Sequence, residues 1–85
     1  MIMEKTLTVK IISPLGVLFE GCADAVFLPG VKCPFEVLPG HAPIISTLEK
    51  GLVRVLSDGR EIYSSMLSSG VVRVFSGNVT VCAEQ

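Results

Sequence analysis

Pro29-Gly30 and Pro39-Gly40 each close a short apolar run, and together they restrict what this chain can fold into. Proline fixes φ and lacks the amide donor that a helix interior or a central strand uses. A glycine after it takes positive φ without steric cost, as a type II turn requires. Residues 28–47 therefore read as strand, turn, short strand, turn, strand. Similar punctuation recurs at Ser13-Pro14-Leu15-Gly16, Glu20-Gly21, Lys50-Gly51, Ser57-Asp58-Gly59-Arg60, Ser68-Ser69-Gly70 and Ser76-Gly77-Asn78. No i, i+3, i+4, i+7 apolar stripe survives over about eleven residues without a glycine or proline cutting it, so no helix is predicted.

The runs between these breaks look like strands. Leu7, Val9 and Ile11 alternate with Thr6, Thr8 and Lys10, the period of a strand with one buried face. Segments 17–19, 23–28, 35–38, 43–48, 52–56, 61–67, 71–75 and 79–82 follow, with Asp58-Gly59 the strongest hairpin signal. About nine short extended segments with regular turns predict an antiparallel sandwich or flattened barrel. The whole of 1–85 reads as one domain. Arg54 and Arg73 are expected on solvent faces, Phe19, Phe27 and Phe75 in the core, Phe35 in the core or, from its place in the loop region, as a contact residue, and Glu36 on the solvated face of its short strand.

Composition limits the function. A chain this short buries only about 60–65% of its extended-chain surface. Yet 49% of its residues are hydrophobic, which predicts both a dense core and an apolar surface covered by a partner. The net charge is −1 and the basic residues are scattered, so no nucleic-acid surface is predicted. Cys22, Cys33 and Cys82 are odd in number and show no CxxC spacing, which favours reduced thiols in the cytosol. No apolar run approaches the ~18–20 residues of a membrane helix. Met1-Ile2-Met3-Glu4-Lys5 turns to charge too early for a signal peptide.

Chemistry-bearing residues are sparse. Cys33 and His41 have the types of a nucleophile and its base, but Cys33 reads better as a small filler in a turn and His41 as a loop residue. Cys33, Glu36 and His41 match no compact zinc spacing. Neither GxxxxGK[ST] nor GxGxxG occurs. The chain is accordingly expected to have no catalytic residue, cofactor, metal or small-molecule substrate.

Leu28-Pro29-Gly30 followed by Val37-Leu38-Pro39-Gly40-His41-Ala42-Pro43-Ile44-Ile45 resembles the N-terminal domain of the epsilon subunit of F-type ATP synthase, called delta in mitochondria. Ile12-Ser13-Pro14 with Val17-Leu18-Phe19-Glu20-Gly21 looks like that family's first hairpin. Leu48-Glu49-Lys50-Gly51, Ser68-Ser69-Gly70-Val71-Val72 and Asn78-Val79-Thr80-Val81 continue the likeness to the end of the chain.

The resemblance implies an all-β fold, a flattened antiparallel β-sandwich of about ten short strands in two five-stranded sheets. It implies a non-catalytic rotor subunit at the foot of the central stalk. Such a subunit packs on the gamma subunit and touches the polar loops of the c-ring, coupling ion flow to ATP synthesis. Its place would be peripheral, on the cytoplasmic face of the inner membrane, meeting the membrane only through the ring. Ser13, Val31, Lys32, Phe35, His41, Ala42 and Pro43 match positions facing gamma or the ring. Cys33 and Glu36 stand where the family usually has glycine, and Pro34 where it often has a ring-facing glutamate. Ring contact here is therefore expected through Lys32 or the backbone. Many relatives continue into a helical hairpin, whereas this sequence stops at Gln85, so a short form is expected. The competing expectation is a small β-sandwich binding module of another assembly, with loop 30–41 as its recognition surface.

Overall fold

The computed structural model describes residues 6–85; the reading of Met1–Lys5 as too charged for a signal peptide lies outside them. Nine strands fill most of the described chain: β1 (Leu7–Ser13), β2 (Gly16–Ala23), β3 (Ala25–Leu28), β4 (Phe35–Val37), β5 (Ile44–Leu48), β6 (Gly51–Ser57), β7 (Arg60–Leu67), β8 (Ser69–Phe75) and β9 (Asn78–Glu84). They form one five-stranded sheet, β2-β1-β9-β8-β5, and one four-stranded sheet, β4-β3-β6-β7. The all-β sandwich expected from the turn pattern is the fold observed. The second sheet has four strands rather than five. Prolines at 29, 34, 39 and 43 remove the donors a further strand would need, and only the single bridge Gly30–Leu48 forms there.

Inward faces alternate as period two dictates. Val9, Ile11, Val26, Val37, Val53, Val55, Val72, Val74, Val79 and Val81 are all buried, and among the described residues no polar or charged residue is buried with them. β-branched side chains have few rotamers to lose, so a valine-rich interior suits a stiff sandwich. At one side of the sandwich Phe19 of β2 packs on Tyr63 of β7, ring centroids 5.1 Å apart. At the other side the main chain of residues 29–31 bridges to β5, joining the two sheets.

The chain changes sheet four times, at Asp24, between β4 and β5, between β5 and β6, and at Ser68. Side-chain hydrogen bonds fix the first and last of these corners. Asp24 Oδ2 accepts from the Asp58 N–H at 2.6 Å, and the Asp24 N–H donates to the Leu56 carbonyl at 2.8 Å. The Ser68 N–H and hydroxyl both donate to the Glu84 carbonyl, at 2.7 and 3.0 Å.

Four local expectations are corrected. Glu20-Gly21 is not a turn, because Lys10 pairs with Glu20 and Val9 with Gly21 inside β2. The Phe19 ring lies over Gly21, 3.4 Å from where a Cβ would stand, so the strand interior is covered by aromatic carbon. Second, β1 and β9 pair in parallel, so the sandwich is not wholly antiparallel. Third, two phenylalanines expected in the core face outward: Phe27, between the inward Val26 and Leu28 of β3 and beside Arg54 and Glu36, and Phe75, which is 54% exposed because Val72 and Val74 take the inward positions of β8. The Phe75 ring lies under Arg73, 5.9 Å from the guanidinium. Fourth, Gly30 lacks the positive φ of a type II turn, although Gly40 has it at 88°.

Arg54 faces out as expected. It lies over Phe27 on β3 at 5.4 Å, and its Nε donates to Glu61 Oε1 at 2.6 Å. That hydrogen bond holds the Glu61 carboxyl below the usual glutamate range. A depressed folded value means the pair helps stability above the ordinary range, and that help is lost as pH falls through the folded value. Both side chains are well exposed, so the effect is small and screened by salt. Carboxyl titration by NMR should therefore find Glu61 below the ordinary range in the wild type and back within it in Arg54→Met. An ordinary midpoint in the wild type would refute the pairing.

Candidate docking groove

The Pro29-Gly30 corner is shaped by contact, not by turn type. The Gly30 N–H donates to the Leu28 carbonyl at 3.1 Å. The Val31 N–H donates to the Thr47 carbonyl at 3.1 Å, and the Glu49 N–H donates to the Pro29 carbonyl at 2.8 Å. Gly30 thus sits opposite Leu48 as a one-residue extension of β5's free side. A Cβ on Gly30 would stand 2.6 Å from the Cys33 carbonyl and 2.9 Å from the Phe35 ring. Only glycine lets residues 31–34 fold back over it.

The second corner is a turn of the expected kind. The His41 N–H donates to the Leu38 carbonyl at 3.0 Å, with Gly40 at φ 88°. The His41 Nδ1 donates to the Ala42 carbonyl at 2.7 Å, which leaves Nε2 of the neutral ring as an acceptor.

Between the corners lies an open groove of about 650 Å³, lined by Gly30–Cys33, Phe35, His41 and Ile44–Thr47. Of the sequence-predicted contacts, Val31, Lys32, Phe35 and His41 meet in it. Phe35 packs against the core and also walls a second hollow of about 490 Å³, with Phe27, Pro29, Glu36, Glu49 and Leu52. Ala42 and Pro43 are exposed on the approach to β5, and Pro43 borders a shallow hollow with Ile45, Arg73 and Phe75. Ser13 lies outside this group. Its hydroxyl accepts from the Leu15 N–H at 3.1 Å in the β1–β2 turn. Strand pairings run from Ile44, Val74 and Val79 at one end of the large sheet to Leu48, Gly70, Ala83 and Ser13 at the other. His41, Ala42 and Pro43 precede Ile44, so Ser13 occupies the opposite end.

Cys33 and His41 line the same groove but form no hydrogen bond with each other, and Glu36 faces the second hollow. Among the described residues no three His, Cys, Asp or Glu side chains gather as metal ligands. Cys33 is exposed rather than a turn filler; the glycine under its carbonyl takes up the close approach instead.

Sequence reasoning missed the outer face of the large sheet. Ile45 pairs with Arg73, and Val71 and Phe75 flank Arg73 on the same face. Ile45, Val71 and Phe75 are 75%, 44% and 54% exposed, an apolar stripe continuous with the groove through Ile45. The signal was available, since Arg73 outward places Phe75 and Val71 outward too. Composition called for apolar surface without placing it; part of it lies on this face, and Leu52 and Met66, paired on the small sheet, are also exposed.

Residues 6–85 match the family model described as ATP synthase, Delta/Epsilon chain, beta-sandwich domain. The ATP synthase epsilon chain of Rickettsia felis is 43% identical over 86 residues, covering 96% of this chain and 75% of that one. That of Rickettsia bellii is 37% identical over 84 residues, with 96% and 78% covered. The Maricaulis maris epsilon chain is 35% identical over 83 residues, 98% of this chain and 62% of that one. Among solved structures, a chain of the Euglena gracilis mitochondrial ATP synthase OSCP/F1/c-ring assembly superposes over all of this chain at TM-score 0.88 and 16% identity; 54% of that chain is covered. A chain of the Tetrahymena thermophila central stalk and c-ring superposes at TM-score 0.76 and 10% identity, with 93% and 63% covered. At such identities the likeness is one of fold.

Proposed function

From the premise that this chain belongs to the ATP synthase delta/epsilon chain β-sandwich family, we propose that it is clamped between the gamma subunit and the c-ring. It is a non-catalytic central-stalk subunit of the ATP synthase, a membrane-associated complex. A rotor foot transmits torque and needs stiffness and a permanent interface, both of which follow from a valine-packed sandwich with an apolar outer face. The observation that carries the reading is the stripe Ile45–Val71–Phe75 running into the groove of Val31, Lys32, Phe35 and His41. Prolines 29, 39 and 43 restrict the loops around that groove and lower the ordering cost of docking.

In this reading the groove end, with Ala42 and Pro43, and the Ser13 end form two separate contacts, one with gamma and one with the ring. The chain sits on the cytoplasmic face and reaches the bilayer only through the ring. No described helix is long and apolar enough to cross a membrane.

Co-purification with gamma and c-ring subunits tests the assembly. The wild-type chain should be retained with both. Val71→Asp with Phe75→Asp, both at exposed positions, should keep the melting temperature but weaken association about tenfold or more. Wild-type retention by neither partner, or unchanged association of the double variant, would count against the reading.

A further inference from the structure

We propose that the free half of the β5 edge takes an extended acidic segment of a rotor partner as an added strand. This rests on the docking reading above and names the chemistry of what docks. β5 ends the large sheet, and no described strand pairs with its outer side. Gly30 covers that side only at Leu48. The bonds Val31 N–H to Thr47 carbonyl and Glu49 N–H to Pro29 carbonyl fix which residues aim their main chain outward. They are Thr47 and Glu49, and by the period of two Ile45 as well. The Ile45 N–H and carbonyl and the Thr47 N–H are thus unpaired groups of a strand edge, and they open along the groove. Such an edge is a template for another chain.

The surroundings select the segment. Lys32 is an exposed cation on the groove, His41 is the only other titratable base there, and no Asp or Glu lines it. Val31, Phe35, Ile44 and Ile45 supply apolar surface on either side. A strand carrying alternating apolar and acidic residues satisfies the edge, rests on Ile45 and sets a carboxylate at Lys32. A basic segment would meet like charge and leave Lys32 unpaired.

Amide hydrogen exchange on the rotor complex assembled from this chain, gamma and the c-ring tests the inference. The Ile45 and Thr47 amides should exchange rapidly in the free chain and at least about tenfold more slowly in the complex. Lys32→Glu should weaken assembly about tenfold at low salt, Lys32→Gln less, and high salt should shrink both differences. Lys32 is exposed, so both variants should melt as the wild type does. Assembly with unprotected Ile45 and Thr47 amides overturns the added strand alone. So does a Lys32→Glu chain that assembles as tightly as the wild type. Failure of the wild-type chain to assemble at all overturns this inference together with the docking reading.

Discussion

Ile11→Ala is expected to remove about 3–4 kcal/mol of folding stability, within the range for truncating a buried isoleucine. Ile11 is fully buried on β1, paired with Phe19 of β2 on one side and Val81 of β9 on the other. The ladders on both sides limit how far the backbone can collapse into the space left. A single core in a domain this small supplies about 3–5 kcal/mol of net stability, so the variant should be largely unfolded at physiological temperature. Ile45→Ala is the matched control. Ile45 is 75% exposed, and its loss should shift stability by less than about 0.5 kcal/mol. Urea titration of the two variants checks the contrast. Equal midpoints would show that the interior is not packed as described.

Gly30→Ala should cost about 2–3 kcal/mol, although the backbone there is one that alanine adopts freely. The reason is space alone. The new methyl would press on the Cys33 carbonyl at 2.6 Å and the Phe35 ring at 2.9 Å. Relief requires residues 31–34 to lift away, breaking the Val31–Thr47 hydrogen bond or displacing Phe35 from the core. Thermal melting should show a fall of roughly 10–20 °C for a domain of this size. Gly40→Ala is the instructive comparison. No atom lies within reach of a Cβ there, but φ is 88°, so any cost arises from backbone conformation alone. If Gly30→Ala melted like the wild type, the fold-back of loop 31–34 over Gly30 would be wrong.

The two Pro-Gly pairs show how far local sequence reaches. At Pro39-Gly40 the dipeptide dictates the turn, and the structure has it. At Pro29-Gly30 the same letters make an extended corner, because a cross-sheet partner, Leu48, competes successfully with the turn. Asp58-Gly59 was legible for a local reason. Both residues take positive φ, 53° and 74°, in a two-residue hairpin loop that closes β6 on β7. Phe75 went wrong because hydrophobicity and alternation disagreed. Val72 and Val74 already fill the inward positions, so alternation prevails. The parallel pairing of β1 with β9 leaves no local mark, since nothing near either strand encodes a partner from the other end of the chain. For the groove, the loop residues Val31, Lys32, Phe35 and His41 could be read as one cluster from their closeness in sequence. The wall from β5 and the remoteness of Ser13 depend on sheet order, which the residues do not spell out.

The β1–β9 ladder has a mechanical consequence. The two strands run the same way, so the chain enters beside Thr8 and Asn78 and leaves beyond Ile12 and Cys82, at the opposite end of the same seam. Tension between the two ends slides one strand along the other and strains every rung of that seam together. A hairpin pulled at its open end unzips rung by rung; this seam resists as a whole, a useful property for a body that is twisted in service.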